Sequence, residues 1–142
     1  TYTDTEAVRV AEATLAGIRS LLRETWERYG RPLAVTEAHL ACTREEQMRW
    51  LHHIWQACTA LRAEGVDLRA MTVWSLLGAY DWDKLLTCDE GSYEPGVFDV
   101  RSGRPRRTAL FGLVRSLADG HPYSHPVLQA PGWWQRDIRF VG

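Results

Sequence analysis

The sequence predicts an α/β fold in which two consecutive strand–helix units place their strands side by side in one parallel sheet. The first observation is the apolar run 33–40, which follows Pro32 and lies between two segments with helical periodicity. The second is the run 70–77, which is rich in β-branched and apolar residues and ends before Gly78. Glu37 and Trp74 are 37 positions apart, close to the roughly 31 residues per unit of an eight-unit α/β barrel.

Composition and charge are those of an ordinary globular domain. Of the 142 residues, 45% are hydrophobic, and 17 basic residues against 18 acidic ones leave a net charge of −1. Without a long basic run we expect no nucleic-acid partner, and without an apolar stretch of roughly 20 residues or a signal pattern we expect no membrane span. Cys42, Cys58 and Cys88 lack metal-type spacing, which predicts free thiols and no zinc site. We therefore expect a soluble, cytoplasmic protein.

The first helix is predicted to begin after Thr3, which with Glu6 has the spacing of a capping box. Apolar residues then recur at helical spacing: Val8, Ala11, Leu15, Ile18, Leu22, Trp26 and Tyr29. Gly30 suits a left-handed C-cap, and Pro32 prevents continuation of the helix. The first strand follows directly, and Glu37 lies at its carboxyl end, where α/β enzymes place catalytic groups.

A second helix is predicted between Thr43 and Gly65, with Thr43 and Glu46 again at capping-box spacing. Its apolar stripe comprises Met48, Leu51, Ile54 or Trp55, Cys58 and Leu61. His52 and His53 flank this stripe. Because adjacent helical residues point about 100° apart, the two imidazoles are not expected to chelate one metal, and we expect them at the surface.

A long connection, residues 78–107, separates the second strand from the third predicted helix. Connections of this length are usually functional. This one carries many acidic and aromatic side chains: Asp81, Trp82, Asp89, Glu90, Tyr93, Glu94 and Asp99. Residues 96–103 are expected to form a short excursion of extended chain. Thr108 is expected to cap a helix that ends at Gly120.

The C-terminal segment, residues 121–142, lacks periodicity and contains three prolines with Trp133 and Trp134. Proline favours extended conformations, so this tail is expected to lie extended over another surface. The two tryptophans either anchor the tail or form a platform for a sugar; anchoring is favoured, since a tail without apolar anchors would be disordered. The predicted organisation is a (β/α) segment, residues 1–120, followed by this tail.

The ends of the two predicted strands bring together acidic, imidazole and indole side chains: Glu37, His39, Trp74, Asp81 and Trp82. Carboxylates act as nucleophiles, acids or hydroxyl acceptors, and an indole packs against the C–H face of a pyranose. For Trp74, packing in the core is an equal alternative. A structural role is harder to assign to Glu37, because a buried unpaired carboxylate is costly. The mixture predicts a carbohydrate ligand.

Two segments, in the same order, resemble glycoside hydrolase family 1. Residues 31–37, Arg-Pro-Leu-Ala-Val-Thr-Glu, are similar to the segment that carries the nucleophilic glutamate of the family in a Thr-Glu-Asn-Gly motif. Residues 73–82, Val-Trp-Ser-Leu-Leu-Gly-Ala-Tyr-Asp-Trp, resemble the Trp-Ser-Leu-Leu-Asp-Asn-Phe-Glu-Trp motif, whose tryptophans and glutamate contact the sugar. Residues 63–69 and 96–108 are similar to the segments before the eighth strand and before the last helix.

The resemblance implies that the chain holds the C-terminal βα units of a TIM (β/α)8 barrel, about strands seven and eight with their flanking helices. It also implies that Glu37 is the catalytic nucleophile and that Trp74, Asp81 and Trp82 bind the substrate, with no cofactor or metal. His39, two residues beyond Glu37, is added to the substrate-binding set by its position at the strand end.

This sequence also departs from the pattern of the family. Ala38-His39 replaces Asn-Gly, and Asp81 is one methylene shorter than glutamate. The acid/base glutamate of the family belongs to a Thr-Phe-Asn-Glu-Pro motif on strand four, which does not occur in this sequence. Because a retaining mechanism needs two carboxyl groups about 5 to 5.5 Å apart, Asp81, Glu90 and Glu94 stay open as the second group.

Two functional hypotheses follow. A barrel of about 250 residues is not closed by 142, so the first is a C-terminal part of a retaining β-glycosidase that lacks its acid/base residue. Exposed strand edges would then favour pairing with the rest of the barrel, self-association, or a compact remnant. The second is a non-catalytic carbohydrate-binding or assembly module of a longer chain. Such a chain can be fused to a sugar-nucleotide reductase of the dTDP-4-dehydrorhamnose type, although this segment has no Gly-rich dinucleotide fingerprint.

Overall fold

The computed structural model describes residues 17–84 and 87–136. Within this part of the chain the main elements follow in the order α1 (Ile18–Tyr29), β1 (Leu33–Ala38), α2 (Arg44–Ala63), β2 (Leu68–Val73) and α3 (Ala109–Ala118). Between β2 and α3 lie two short antiparallel pairs, β3 (Ala79–Tyr80) with β4 (Tyr93–Glu94), and β5 (Phe98–Asp99) with β6 (Arg106–Arg107). The tail contains 3-10 turns at Pro126–Gln129 and Trp133–Gln135. The predicted helix start at Thr3 lies outside the described residues.

The two predicted strands pair in parallel, and α2 connects them. The parallel pairing is the one that the sequence predicts for these two strands. β1 ends at Ala38, two residues before the predicted end. β2 occupies Leu68–Val73, so the predicted range 70–77 is wrong at both ends. The strand ends early because the backbone beyond it forms hydrogen bonds to the segment before α3 instead of to β1. For example, the carbonyl oxygen of Ser75 accepts from Val97 N at 2.9 Å.

The sheet has one face against the helices and one exposed face. The helix-facing side chains are Leu33, Val35, Ala38, Leu68, Met71 and Val73. The exposed residues of the two strands are the small Ala34, Thr36, Ala70 and Thr72 together with Glu37 and Arg69. The apolar runs predict buried strands, whereas within residues 17–84 and 87–136 the second face of the sheet is exposed to solvent.

A change of register near the end of β1 exposes Glu37. Val35 lies opposite Met71 and Ala38 lies opposite Val73, so β1 contains one residue more than β2 over this stretch. An extra residue of this kind forms a bulge, which re-aims the side chains around it. Both residues between Val35 and Ala38 are exposed, whereas Ala38 returns to the core at 3% exposure.

Helix α2 forms the centre of the core and contacts α1, α3, both long strands and the turn at 126–129. Its predicted apolar stripe is buried: Met48, Leu51, Ile54, Cys58 and Leu61. Between the two alternatives at this stripe, Ile54 is the buried residue and Trp55 is half-buried. No helix in the described part of the chain combines the length and apolar character needed to cross a membrane.

Helix ends follow the predicted glycines closely. Gly30 has a left-handed conformation (φ 56°) and donates its N–H to Trp26 O, which ends α1. Gly120, with φ 70°, follows α3 and donates to Leu117 O at 3.1 Å. These positions favour glycine because a side chain is strained at positive φ.

The N-terminal caps agree with the sequence only in part. Thr43 Oγ1 accepts from Glu46 N at 3.5 Å, as predicted for α2. Thr108 precedes α3, but its hydroxyl forms no cap and instead hydrogen-bonds to the carbonyl oxygens of Gly96 and Val97 at 3.0 and 2.8 Å. The predicted capping role of Thr108 is therefore wrong, because two carbonyl groups of the preceding loop take its hydrogen bond.

The tail packs on α2 through its tryptophans. The rings of Trp134 and Trp50 meet edge to face with centroids 5.0 Å apart. Trp134 also lies 6.1 Å from the His53 ring, and His52 and His53 are both half-buried. Both histidines were expected at the surface, and this expectation is wrong in part. Burial lowers the pKa of each imidazole. Anchoring of the tail by tryptophan agrees with these contacts.

Candidate functional site

The predicted site residues of β1 and β2 meet at the carboxyl ends of the two strands. Glu37 is exposed by the bulge, and His39 follows the buried Ala38. Trp74 directly follows Val73, the partner of Ala38, and its backbone N–H donates to Ala38 O at 3.4 Å. The parallel pairing therefore places Glu37, His39 and Trp74 at one edge of the sheet.

Trp74 and Trp82 form a pair of indole rings at this edge. Their centroids are 5.1 Å apart and their planes are inclined at 35°. Trp74 is half-buried, whereas Trp82 is 39% exposed. An exposed indole face is the surface on which the C–H groups of a sugar ring pack. Two of the predicted substrate-binding residues are thus in contact with one another and open to a ligand.

His39 is held by a residue that the sequence alone left undecided. Its Nε2 atom lies 2.7 Å from Glu94 Oε1, and the two side chains are 24% and 19% exposed. Glu94 lies in β4, opposite Ala79 of β3. A carboxylate in such a contact fixes the orientation of the imidazole ring. Among the three acidic residues considered as a second group, Glu94 is the one that lies beside a predicted site residue.

Asp81 has a different setting from the one that the resemblance implies. It is 6% exposed and has a left-handed backbone (φ 51°), a conformation that Asp tolerates better than most residues. Its carboxylate accepts backbone hydrogen bonds from Ser92 N at 2.8 Å and Gly91 N at 3.2 Å. Both oxygens of Asp81 are therefore engaged in closing the loop 82–92, which begins with Trp82.

Glu90, the remaining candidate, is exposed and lies 3.9 Å from Lys84 Nζ. Such an exposed pair contributes little to any fixed geometry. In the part of the chain that the structure describes, Glu90 makes no contact with Glu37, His39 or Trp74.

A small cavity lies against the site edge. It is lined by Ala38, His39, Leu40, Gln47, Trp50, Leu51, Val73, Trp74 and Leu110. Its free volume of about 10 Å³ admits roughly one water molecule. The cavity is therefore too small for a sugar ring.

Gly96 joins the segment after β2 to the segment that carries Glu94. A Cβ atom at Gly96 would lie 2.6 Å from Leu77 C and 2.7 Å from Ser75 O, closer than backbone atoms allow. The close approach permits hydrogen bonds from Val97 N to Ser75 O and from Phe98 N to Leu76 O. Because position 96 has no side chain, the segment that carries Glu94 packs directly against the segment that follows Trp74.

Asp99 stabilises the loops behind the site. It is 3% exposed, and Arg101 Nη2 and Arg106 Nη2 donate to its Oδ2 at 2.7 and 3.1 Å. The hydrogen bonds from Arg101, with those from Arg106 and Tyr93, hold the pKa of Asp99 far below its usual range. The neighbouring Tyr93 OH accepts from Val100 N at 3.0 Å. The role of Asp99 does not follow from the sequence pattern, because both arginines reach it through a turn that periodicity does not reveal.

Metal ligation finds no support in the described part of the chain, where no group of three or more His, Cys, Asp or Glu side chains is arranged to hold an ion. The chemistry available at the strand ends is that of carboxylates, one imidazole and indole rings.

Comparison with known proteins gives one relevant similarity. No family model matches the sequence, and no solved structure matches it. A stretch of 68 residues, 46% of this chain, is 40% identical to the β-galactosidase of Sulfolobus acidocaldarius, and the match covers 14% of that protein. The chain therefore spans only a small part of the curated relative. Over this stretch it is similar to a glycosidase.

Proposed function

We propose that this chain is the C-terminal part of a β-galactosidase-like glycoside hydrolase that binds a β-glycoside at the carboxyl ends of β1 and β2. The observation that carries the proposal is the exposure of Glu37, through the bulge in β1, at the same edge as the Trp74–Trp82 pair. A carboxylate supplies the nucleophile of a retaining glycosidase, and an indole face packs against the C–H groups of a sugar ring. The similarity to a β-galactosidase supports the same class of substrate.

In this proposal Glu37 is the nucleophile of a retaining mechanism. A Glu37 carboxylate oxygen forms a bond to the anomeric carbon while the bond from that carbon to the leaving oxygen breaks, and the leaving oxygen takes up a proton from a second group. Water then attacks the anomeric carbon and gives a proton to the same second group, and Glu37 leaves as a carboxylate. Trp74 and Trp82 pack against the sugar, and Asp81 acts by holding the loop on which Trp82 lies.

The exposed face of the sheet supports placement in a (β/α)8 barrel, with β1 and β2 as about the seventh and eighth strands. Four of the six exposed side chains of the two strands are small and leave room for further strands and their side chains. Within the described residues, β1 and β2 have hydrogen bonds to no third strand. Large apolar side chains beyond β2 are also exposed, such as Leu76 at 63% and Leu77 at 49%. Exposed edges and apolar surface favour pairing with the rest of a barrel or with a second copy.

A mechanism-based label tests the catalytic proposal. The full natural chain that contains this sequence is incubated with 2,4-dinitrophenyl 2-deoxy-2-fluoro-β-galactoside, and its peptides are analysed by mass spectrometry. We expect a glycosyl adduct on Glu37, no adduct in Glu37→Gln, and normal labelling in Glu45→Gln, which alters an exposed carboxylate of α2.

Two other outcomes contradict hydrolysis. Galactoside binding without an adduct, measured by calorimetry, would identify a non-catalytic carbohydrate module. Absence of both labelling and binding would exclude a carbohydrate role for this site. Light scattering after size-exclusion chromatography tests the pairing proposal separately, because a stable monomer of this chain that binds no apolar dye would contradict it.

A further inference from the structure

We propose that Glu94 is the carboxylate that receives hydroxyl groups of the bound sugar, and that Asp81 is a positioning residue that does not touch the sugar. This inference rests on the proposed function and names the side chain that sets the orientation of the galactoside. The resemblance implies such a contact for position 81, so the surroundings of the two acidic side chains decide between them.

Asp81 is closed off by its own loop. The residue is 6% exposed, and its two carboxylate oxygens accept from Ser92 N at 2.8 Å and from Gly91 N at 3.2 Å. Its backbone N–H also donates to Ser92 O at 2.7 Å. A ligand reaches a group this buried only if the loop opens, which leaves two backbone N–H groups without their acceptor. Further chain packed on this segment adds burial and removes none, so Asp81 stays out of reach in a longer protein.

Glu94 lies in the second strand of the same hairpin, but beside the site edge. It is paired with Ala79, and its Oε1 atom lies 2.7 Å from His39 Nε2. His39 and Trp74 line one small cavity. The Trp74 and Trp82 rings are in contact, with centroids 5.1 Å apart. These contacts lead from Glu94 through the imidazole to the indole pair on which the sugar is proposed to pack.

The chemistry of Glu94 suits sugar hydroxyls. A carboxylate offers about four lone-pair sites, so its contact with one imidazole leaves capacity for further donors. The side chain is 19% exposed, which keeps it open to a ligand but partly shielded from water. Hydrogen bonds from hydroxyl groups to a carboxylate are short and strong, and shielding strengthens them. An indole surface holds a sugar ring by its C–H face, whereas a placed carboxylate determines which hydroxyl pattern fits.

The backbone around Glu94 is held before any ligand arrives. Pro95 O, in the next residue, accepts from Gln47 Nε2 of α2 at 3.4 Å. Val97 N donates to Ser75 O at 2.9 Å in the segment that follows β2. A side chain on a backbone fixed in this way loses little further freedom on binding, which favours affinity.

The competing interpretation is that Glu94 only ties β4 to the end of β1 through His39. The variant Glu94→Gln removes the charge but keeps the shape and one acceptor oxygen. Asp81→Asn turns an amide NH₂ group toward backbone donors that need an acceptor. Asp89→Asn is the control, because Asp89 is an exposed carboxylate of the same loop.

The experiment measures kcat/KM of the full natural chain for 4-nitrophenyl β-galactoside and for its 3-deoxy, 4-deoxy and 6-deoxy analogues. For Glu94→Gln we expect at least about a tenfold loss on the parent galactoside. On at least one analogue this loss should shrink by about threefold or more, because the hydroxyl that Glu94 receives is already missing. If the chain binds galactosides without hydrolysing them, dissociation constants from calorimetry replace kcat/KM in the same comparison.

A second measurement tests Asp81 without any sugar. For Asp81→Asn we expect about the same fold loss on all four galactosides, together with faster amide hydrogen exchange of Gly91 and Ser92. Exchange of these two amides should stay normal in Glu94→Gln and in the control Asp89→Asn.

The outcomes separate this inference from the function on which it rests. A loss in Glu94→Gln that varies by less than about threefold across the four galactosides would overturn the role of Glu94. A loss in Asp81→Asn that shrinks on one analogue would return the sugar contact to Asp81, and unchanged amide exchange in that variant would overturn its positioning role. Absence of both turnover and binding in the unaltered chain would refute the proposed function and this inference with it. If Glu94→Gln does not fold, as judged by circular dichroism, Glu94→Asp replaces it in the same comparison.

Discussion

Glu46 Oε2 accepts a hydrogen bond from the backbone N–H of Trp133 at 3.1 Å, which joins the first turn of α2 to the tail. Its other oxygen accepts from Arg49 at 2.6 Å and from Arg136 at 2.8 Å. Glu46 is only 9% exposed. The capping-box spacing with Thr43 would direct this carboxylate to the start of its own helix. Instead it accepts from the Trp133 N–H and the Arg136 guanidinium of the tail, and from Arg49 of α2.

Replacement of Glu46 by Gln should release the tail and lower the stability of the fold. A glutamine in this place leaves two arginines without their buried anion, and loss of such charge-assisted hydrogen bonds costs about 2 kcal/mol or more. Urea unfolding measures the change, and limited proteolysis should cut the tail faster. Glu45→Gln is the matched control, because Glu45 is exposed on the same helix turn. Equal stability of the two variants would show that Glu46 does not hold the tail.

The parts of the fold that the sequence predicts well depend on local stereochemistry. Gly30 and Gly120 end their helices because each takes a positive φ at the position where a helix must leave its axis. The apolar runs around Val35 and Met71 similarly predict two adjacent strands. These features need no knowledge of distant residues, so a single sequence is sufficient for them.

The parts of the site that escaped prediction depend on contacts between distant segments. Exposure of Glu37 comes from the register of β1 against β2, and no spacing within β1 indicates the bulge. The partner of His39 is Glu94, which reaches it only because the hairpin β3–β4 folds back to the sheet. Asp81 matches a motif for sugar contact, yet its carboxylate is engaged by Gly91 and Ser92. Motifs predicted which residues lie near the site but not which of them face a ligand.

Gly96→Ala should destabilise the chain. Its new methyl group would lie 2.6 Å from Leu77 C and 2.8 Å from Gly78 N, and backbone atoms do not move aside as a flexible side chain does. We expect a loss of about 1 to 3 kcal/mol, measured by urea unfolding, together with weaker binding of any ligand near Glu94. Gly112→Ala is the control, because its Cβ would lie 3.4 Å from Tyr123 OH and alanine favours the helix there. A Gly96→Ala variant as stable as the control would contradict the close approach.

Cys58 and Cys88 should differ strongly in thiol reactivity. Cys58 is 3% exposed in the core, and burial raises the pKa of its thiol, so both access and thiolate content are low. Cys88 is exposed. Brief treatment with iodoacetamide at pH 8 followed by peptide mapping should find Cys88 modified and Cys58 intact, and both modified in urea. Modification of Cys58 as fast as Cys88 without denaturant would show that the core around α2 opens readily.

The carboxylate of Asp99 should make the stability of the fold sensitive to acid. Because its pKa is lowered in the folded chain, the unfolded chain binds more protons in acid. The stabilisation is therefore complete above the ordinary Asp pKa of about 3.9, and it is lost as the pH falls below that value. Asp99→Asn should lower the urea midpoint at pH 7, and the difference from the unaltered chain should narrow at pH 3.

Asp67 provides the matched control for Asp99, since it too is followed two residues later by an arginine that lowers its pKa. The Asp67 and Arg69 side chains are 39% and 67% exposed, whereas the Asp99 side chain is 4% exposed. Solvent screens an exposed pair, so Asp67→Asn should shift the urea midpoint much less at either pH. If the two variants lost equal stability at pH 7, burial of Asp99 between Arg101 and Arg106 would not be the source of the acid sensitivity.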